Sequence, residues 1–157
     1  MNRAFLIILT ISILNCYHLN AQLPEIDFKL LTSIENSFEK GKAVNLEYKL
    51  FGFCDVFQNI HNEKILNTVA HYLKQHTSTS IRLAVHTDCR GSDDYNLKLT
   101  QKSTENLKKI LVKKGVLFFQ IEAVGFGETQ PLIECEDCDC ESSVHELNRR
   151  VTIKQIQ

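Results

Sequence analysis

Hydrophobic positions fall at two different spacings along the chain, and the alternation between them outlines a fold. Val44, Leu46, Tyr48 and Leu50 alternate with polar neighbours, and Phe51 and Phe53 extend the run, the period-two pattern of a strand with one buried face. After a turn-like stretch at 55–61, Ile65, Leu66, Val69, Tyr72 and Leu73 recur at the spacing of one helix face, with Asn62 placed to cap it. Ile81 to Val85 return to period two and run into the polar string His86-Thr87-Asp88-Cys89-Arg90-Gly91. Residues 95–114 carry Leu99, Leu107, Ile110 and Leu111 on one face, with Lys98, Lys102, Lys108, Lys109, Lys113 and Lys114 largely on the other, and Gly115 stands where a helix ends in a C′ glycine. Ile121 to Phe126 predicts a third strand and Arg150 to Ile156 a fourth. Leu23 to Lys40 fits either a short amphipathic helix or an extended lead-in strand.

The order strand-helix-strand-helix-strand-strand predicts an α/β (α+β) domain, a mixed sheet with two helices on one face. The polar residues that follow strand two lie at the end of the sheet where such folds place ligands. Between strands three and four runs an acidic, cysteine-rich connection of about 15 residues, longer than most ordered connections.

Composition narrows this picture. The chain has 157 residues. It begins Met1-Asn2-Arg3, continues through a predominantly apolar run from Ala4 to Leu14, and reaches Leu19-Asn20-Ala21, the layout of a secretory signal peptide over residues 1–21. That run is shorter than the roughly 20 residues needed to span a bilayer. Removal of residues 1–21 leaves 17 basic against 19 acidic residues, a balance that does not suggest a nucleic-acid binder. Residues 22–41 then form an N-terminal extension and 42–157 one domain with one core. A second reading makes Cys16 the acylated first residue of a lipoprotein, but Asn15 before it is larger than such sites usually carry. Without Cys16, the cysteines are Cys54, Cys89, Cys135, Cys138 and Cys140, enough for at most two internal disulfides.

Four blocks in order carry a family resemblance: Thr87-Asp88-Cys89-Arg90-Gly91; Asn96 with Leu99-Thr100; Gly125-Phe126-Gly127-Glu128 with Pro131; and Asn148-Arg149-Arg150-Val151. From about Phe51 to Ile156 the chain resembles the OmpA-like C-terminal domain, a periplasmic module that binds peptidoglycan. The loop up to His145 is similar to a subtype in which two cysteines precede the Asn-Arg-Arg block, which implies a Cys135–Cys140 disulfide and leaves the pairing of Cys54, Cys89 and Cys138 open. An oxidising compartment suits such a staple. Cys135, Cys138, Cys140 and His145 also offer four soft ligands to zinc, but export and the resemblance favour disulfides, so no metal and no cofactor are expected.

The resemblance further implies a ligand: a peptidoglycan stem peptide of the diaminopimelate type, which offers an ammonium and a carboxylate on one carbon. A matching site needs a fixed anion and a fixed cation. Asp88 supplies the anion, with Thr87 and Asn96 beside it and Arg149 placed to hold the ligand carboxylate. The family's cation is an Arg fifteen residues after the Asp, and here position 103 is Ser. Ser103 can face the same pocket without a charge; Lys102, turned about 100° away, and Arg90 are partial substitutes. Val85 stands where the family usually has Gly. His86 reads as a buried structural residue, because no reactive turn with Ser or Cys lies nearby. With no metal triad, nucleophile elbow or spaced acid–base pair, the expectation is a non-enzymatic, periplasmic, outer-membrane-associated wall tether. The alternative is a degenerate domain of the same fold that contacts envelope proteins instead.

Overall fold

The computed structural model describes residues 25–39, 42–46 and 60–156. The signal segment, the second half of strand one, Phe51-Gly52-Phe53, Cys16 and Cys54 lie outside the described residues. In chain order the elements are α1 (Phe28–Glu39), β1 (Ala43–Leu46), α2 (Ile60–Gln75), β2 (Ile81–His86), α3 (Asp93–Lys113), β3 (Ile121–Gly127), α4 (Ser142–Asn148) and β4 (Val151–Gln155). The four strands form one mixed sheet in the order β1-β4-β2-β3. The last strand is therefore interior: β4 pairs antiparallel with β1 and with β2, while β2 and β3 run parallel.

One hydrophobic core joins the sheet to three helices. Val44, Leu46, Ile81, Leu83, Val85, Val151 and Ile153 meet Ile34 and Phe38 of α1, Leu66, Val69 and Leu73 of α2, and Leu107 and Leu111 of α3. The alternate strand positions turn away from it, as the exposed Arg82–Glu122 pair across β2 and β3 shows (2.9 Å). Val85, in place of the family's usual Gly, is part of this core. The ambiguous segment before β1 resolves as a helix. Asp27 accepts the Leu30 N–H (3.0 Å) at its start, and the Asp27 N–H donates to Thr68 Oγ1 of α2 (2.8 Å), so α1 is tied to α2 by its cap as well as by Ile34 and Phe38.

Two local expectations need correction. Asn62 does not cap α2, which begins at Ile60; it is buried within the first turn. On α3 the buried face is Asn96, Thr100, Thr104, Leu107 and Leu111, whereas Leu99 and Ile110 are half-buried. Close approach of β3 explains this polar stripe. A Cβ added at Gly125 would sit 2.2 Å from the Gln101 backbone nitrogen and 2.5 Å from the Thr100 carbonyl carbon, so helix and strand touch backbone to backbone. Only small side chains fit beside such a contact. Thr100 Oγ1 meets the carbonyls of Asn96 and Leu97 (3.0 and 2.9 Å) and accepts the Gly127 N–H (2.9 Å), which joins α3 to the end of β3.

The ends of α3 follow its sequence. Ser92 caps the start by accepting the Tyr95 N–H (3.3 Å), Asp93 and Asp94 lie in the first turn, and Lys113 lies in the last, each sign matching the helix dipole. Gly115 follows with φ +93°, the left-handed C′ conformation its position predicted. The long connection before β4 is less irregular than its composition suggests, since it contains α4.

Candidate functional site

β2 ends at His86, and the next residues carry the chain over the carboxyl edge of the sheet. Thr87 is anchored there by its N–H on the Gly127 carbonyl (2.8 Å), which places Asp88 beyond the strand end. Asp88 is only 5% exposed, and two guanidiniums converge on it. Arg90, from the same turn, donates Nε to Oδ1 (3.2 Å), Nη2 to Oδ2 (2.8 Å) and its backbone N–H to Oδ1 (3.0 Å). Arg149, just ahead of β4, donates Nη1 to Oδ2. Burial alone would raise the Asp88 pKa, but the hydrogen bonds from Arg90 and Arg149 outweigh it and hold the carboxyl down at about 2.

The two cations are less buried than the anion they share. The Arg90 side chain is 58% exposed and that of Arg149 33%, against 6% for Asp88. Each guanidinium has five N–H donors, so both retain donors beyond those given to Asp88. The arrangement is a fixed carboxylate that orients two partly exposed cations.

The surrounding polar residues hold this geometry. Asn96 Nδ2 spans the Asp88 and Arg90 carbonyls (3.4 and 3.2 Å) and the Glu128 carboxylate, so α3, the Asp88 turn and the end of β3 meet at one amide. Asn148 Oδ1 accepts the N–H groups of Leu132 and Ile133 (2.8 and 3.0 Å), and its Nδ2 donates to the Ile133 carbonyl (2.9 Å). Arg150 Nη2 donates to the Gln130 carbonyl (2.9 Å). The Asn-Arg-Arg block thus splits its work: Asn148 and Arg150 fix the loop after β3, and Arg149 reaches Asp88.

His86 is buried as expected, stacked on Phe126 with ring centroids 5.2 Å apart and with Nε2 3.5 Å from Thr152 Oγ1. Burial and the charge of Arg150 push its pKa down to about 4, so the ring is neutral near pH 7.

Two disulfides close the site from the loop side. Cys135–Cys140 is the expected pair, and Cys89–Cys138 joins the residue after Asp88 to the acidic loop, across 49 positions of sequence. A cleft of about 290 Å³ lies against them, lined by Thr87, Cys89, Glu128, Glu134, Cys135 and Asn148 among others. Thr87 Oγ1 is buried without a hydrogen-bond partner among the described residues. Asp88 does not line this cleft itself, though its chain neighbours Thr87 and Cys89 do.

Four of the five sequence-predicted site residues therefore come together: Thr87, Asp88, Asn96 and Arg149. Ser103 is half-buried on α3 and makes no hydrogen bond or ion pair to Asp88 among the described residues. Sequence reasoning did not find Glu128 as a partner of Asn96, nor the second disulfide. Arg90 was visible only as a partial substitute, although its place two residues after Asp88 suits a turn in which side chain and backbone N–H grip one carboxylate.

A sequence model of the OmpA family matches residues 59–142. The outer membrane porin F of Pseudomonas fluorescens is 36% identical over 86 residues, covering 55% of this chain and 25% of the porin. The peptidoglycan-associated lipoprotein of Buchnera aphidicola is 35% identical over 100 residues, 64% of this chain and 57% of the lipoprotein. The chain thus spans less than two thirds of either relative. Among solved structures, the peptidoglycan-associated lipoprotein of Burkholderia pseudomallei superposes with a TM-score of 0.58 at 28% identity, covering 80% of this chain and 98% of that one.

Proposed function

The chain belongs to the OmpA family, and on that premise we propose that it is a non-enzymatic module that binds peptidoglycan in the periplasm, against the outer membrane. Relatives named for peptidoglycan association support the ligand class. The observation that carries the reading is Asp88, a carboxylate buried at the carboxyl end of β2 and paired with two guanidiniums from separate segments. That is the charge pairing a diaminopimelate-type stem peptide needs. Its ammonium seeks a desolvated carboxylate, and its carboxylate seeks a guanidinium with donors to spare. In this reading Arg149 meets the ligand carboxylate, Thr87 stands beside Asp88 on the cleft wall, and Asn96 keeps the Asp88 turn in place.

Ser103 marks where the grip is weaker than in relatives that keep an arginine there. A charge-assisted hydrogen bond contributes roughly 1.5 to 3 kcal/mol, on the order of tenfold to a hundredfold in affinity. Ser103→Arg should strengthen co-sedimentation with purified sacculi by that factor. If neither the parent nor Ser103→Arg sediments with sacculi, wall binding is absent and the domain contacts envelope proteins instead.

A further inference from the structure

The end of the sheet opposite Asp88 leaves two aromatic rings in solvent. A 3₁₀ turn, Phe118–Gln120, joins α3 to the amino end of β3; Gln120 is buried there, while Phe118 and Phe119 are 69% and 72% exposed. Charge around this turn has one sign. Residues 65–80, which run along α2 to the start of β2, and residues 106–121 together carry Lys74, Lys108, Lys109, Lys113 and Lys114 and no Asp or Glu. Lys108 Nζ lies 3.6 Å from the Phe118 ring centroid, and the Lys74 stem runs beside Gly115, just ahead of the turn. Lys108 also donates to the Ile121 carbonyl, and Lys114 pairs with Glu63 (3.2 Å). Lys74, Lys109 and Lys113 are exposed and form no ion pair among the described residues. The Asp88 end is the reverse: residues 134–146 hold six Asp or Glu and no Lys or Arg. The six residues of β2 set the two ends roughly 20 Å apart.

Two rings alone bury too little for a protein partner. Each gives about 150–250 Å², so the pair supplies about 300–500 Å² against about 800 Å² per side in a specific interface. A lipid surface sets no such minimum: aromatic rings enter the boundary between headgroups and acyl chains, and lysines around them meet the phosphates. We propose that the Phe118–Phe119 turn and its lysines dock the domain on an anionic phospholipid bilayer, with both rings inserted at the interface and Lys74, Lys109 and Lys113 facing the headgroups. The same surface that attracts this end repels the acidic loop, so docking turns Asp88 and its cleft away from the bilayer. The inference does not rest on wall binding.

The test is flotation of the chain from Gln22 onward, which contains every described residue, with vesicles of mixed phosphatidylglycerol and phosphatidylcholine and with vesicles of phosphatidylcholine alone. The parent should float with the phosphatidylglycerol vesicles, less so as salt is raised, and stay behind with phosphatidylcholine alone. Phe118→Ser combined with Phe119→Ser should lose at least about tenfold in partition. Lys109→Glu should lose at least about fivefold. Lys98→Glu, the same charge change near the Asp88 end of α3, should leave partition unchanged. Circular dichroism of each variant separates lost docking from misfolding. The proposal is overturned if the parent floats with neither vesicle, which would leave the rings to a protein partner, or with both alike. It is equally overturned if the double Phe variant floats as the parent does, or if Lys98→Glu costs as much as Lys109→Glu.

Discussion

The two ends of β2 each bury a polar side chain, and they solve the problem in opposite ways. At the amino end, Gln120 is 1% exposed; its Nε2 reaches the carbonyls of Leu73, His76 and Thr79 (3.0, 3.0 and 2.9 Å), and its Oε1 accepts the Leu117 N–H (3.2 Å). Every partner is backbone, the group is neutral, and both ends of the amide are engaged. At the carboxyl end, Asp88 is buried almost as deeply, but it is charged, and two of its partners are side chains half in solvent. Burial and satisfaction therefore do not by themselves mark a site. Gln120 closes the α2–β2 and α3–β3 connections upon themselves, whereas Asp88 keeps cations in place with capacity to spare beside a cleft.

If that contrast is right, substitution at the two ends must separate stability from binding. Gln120→Ala removes the Gln120 partner from three carbonyls and the Leu117 N–H, of which the His76 carbonyl keeps the Thr79 N–H, and should cost about 3 kcal/mol, read as a fall in the urea midpoint, while the folded fraction keeps its affinity for sacculi. Loss of wall binding per folded molecule in Gln120→Ala would break the distinction. Thr100→Val tests what holds the Asp88 end to the rest. It keeps the shape but removes the acceptor of the buried Gly127 N–H, and it should cost about 1 kcal/mol with a small loss of binding. An unchanged urea midpoint would show that the α3–β3 contact rests on the glycine approach alone.

Acid should act mainly at the Asp88 end, and more gradually. His86 has a folded pKa of about 4 against 6.5 for the free group, so the unfolded chain binds a proton first. Its contribution is present above pH 6.5 and is lost as pH falls toward 4. Asp88, lowered from 3.8 to about 2, adds a further loss only below pH 3.8. Melting temperature should therefore decline from pH 6.5 downward in two stages, and His86→Gln should flatten the first; an equal decline in both proteins would assign it elsewhere.

Much of this was legible in the sequence, because period-two and helical spacing register the same burial that the core uses. Ile81–Val85, Ile121–Phe126 and the α2 face were plain for that reason. The polar face of α3 was not, since Thr100 and Thr104 hide their hydroxyls on helix carbonyls and count as polar in any pattern. α4 has seven residues and too little apolar content to announce itself. For the site, Thr87, Asp88, Asn96 and Arg149 were reached by resemblance, not by spacing. The Cys89–Cys138 bridge was not reached at all, because a contact across 49 positions depends on the tertiary path of the loop.

If Asp88 anchors the ligand, co-sedimentation of the oxidised chain with purified sacculi must separate the parent from Asp88→Ala, both shown folded by circular dichroism. The parent should pellet with the sacculi and Asp88→Ala should stay in the supernatant; equal pelleting of the two would contradict the account.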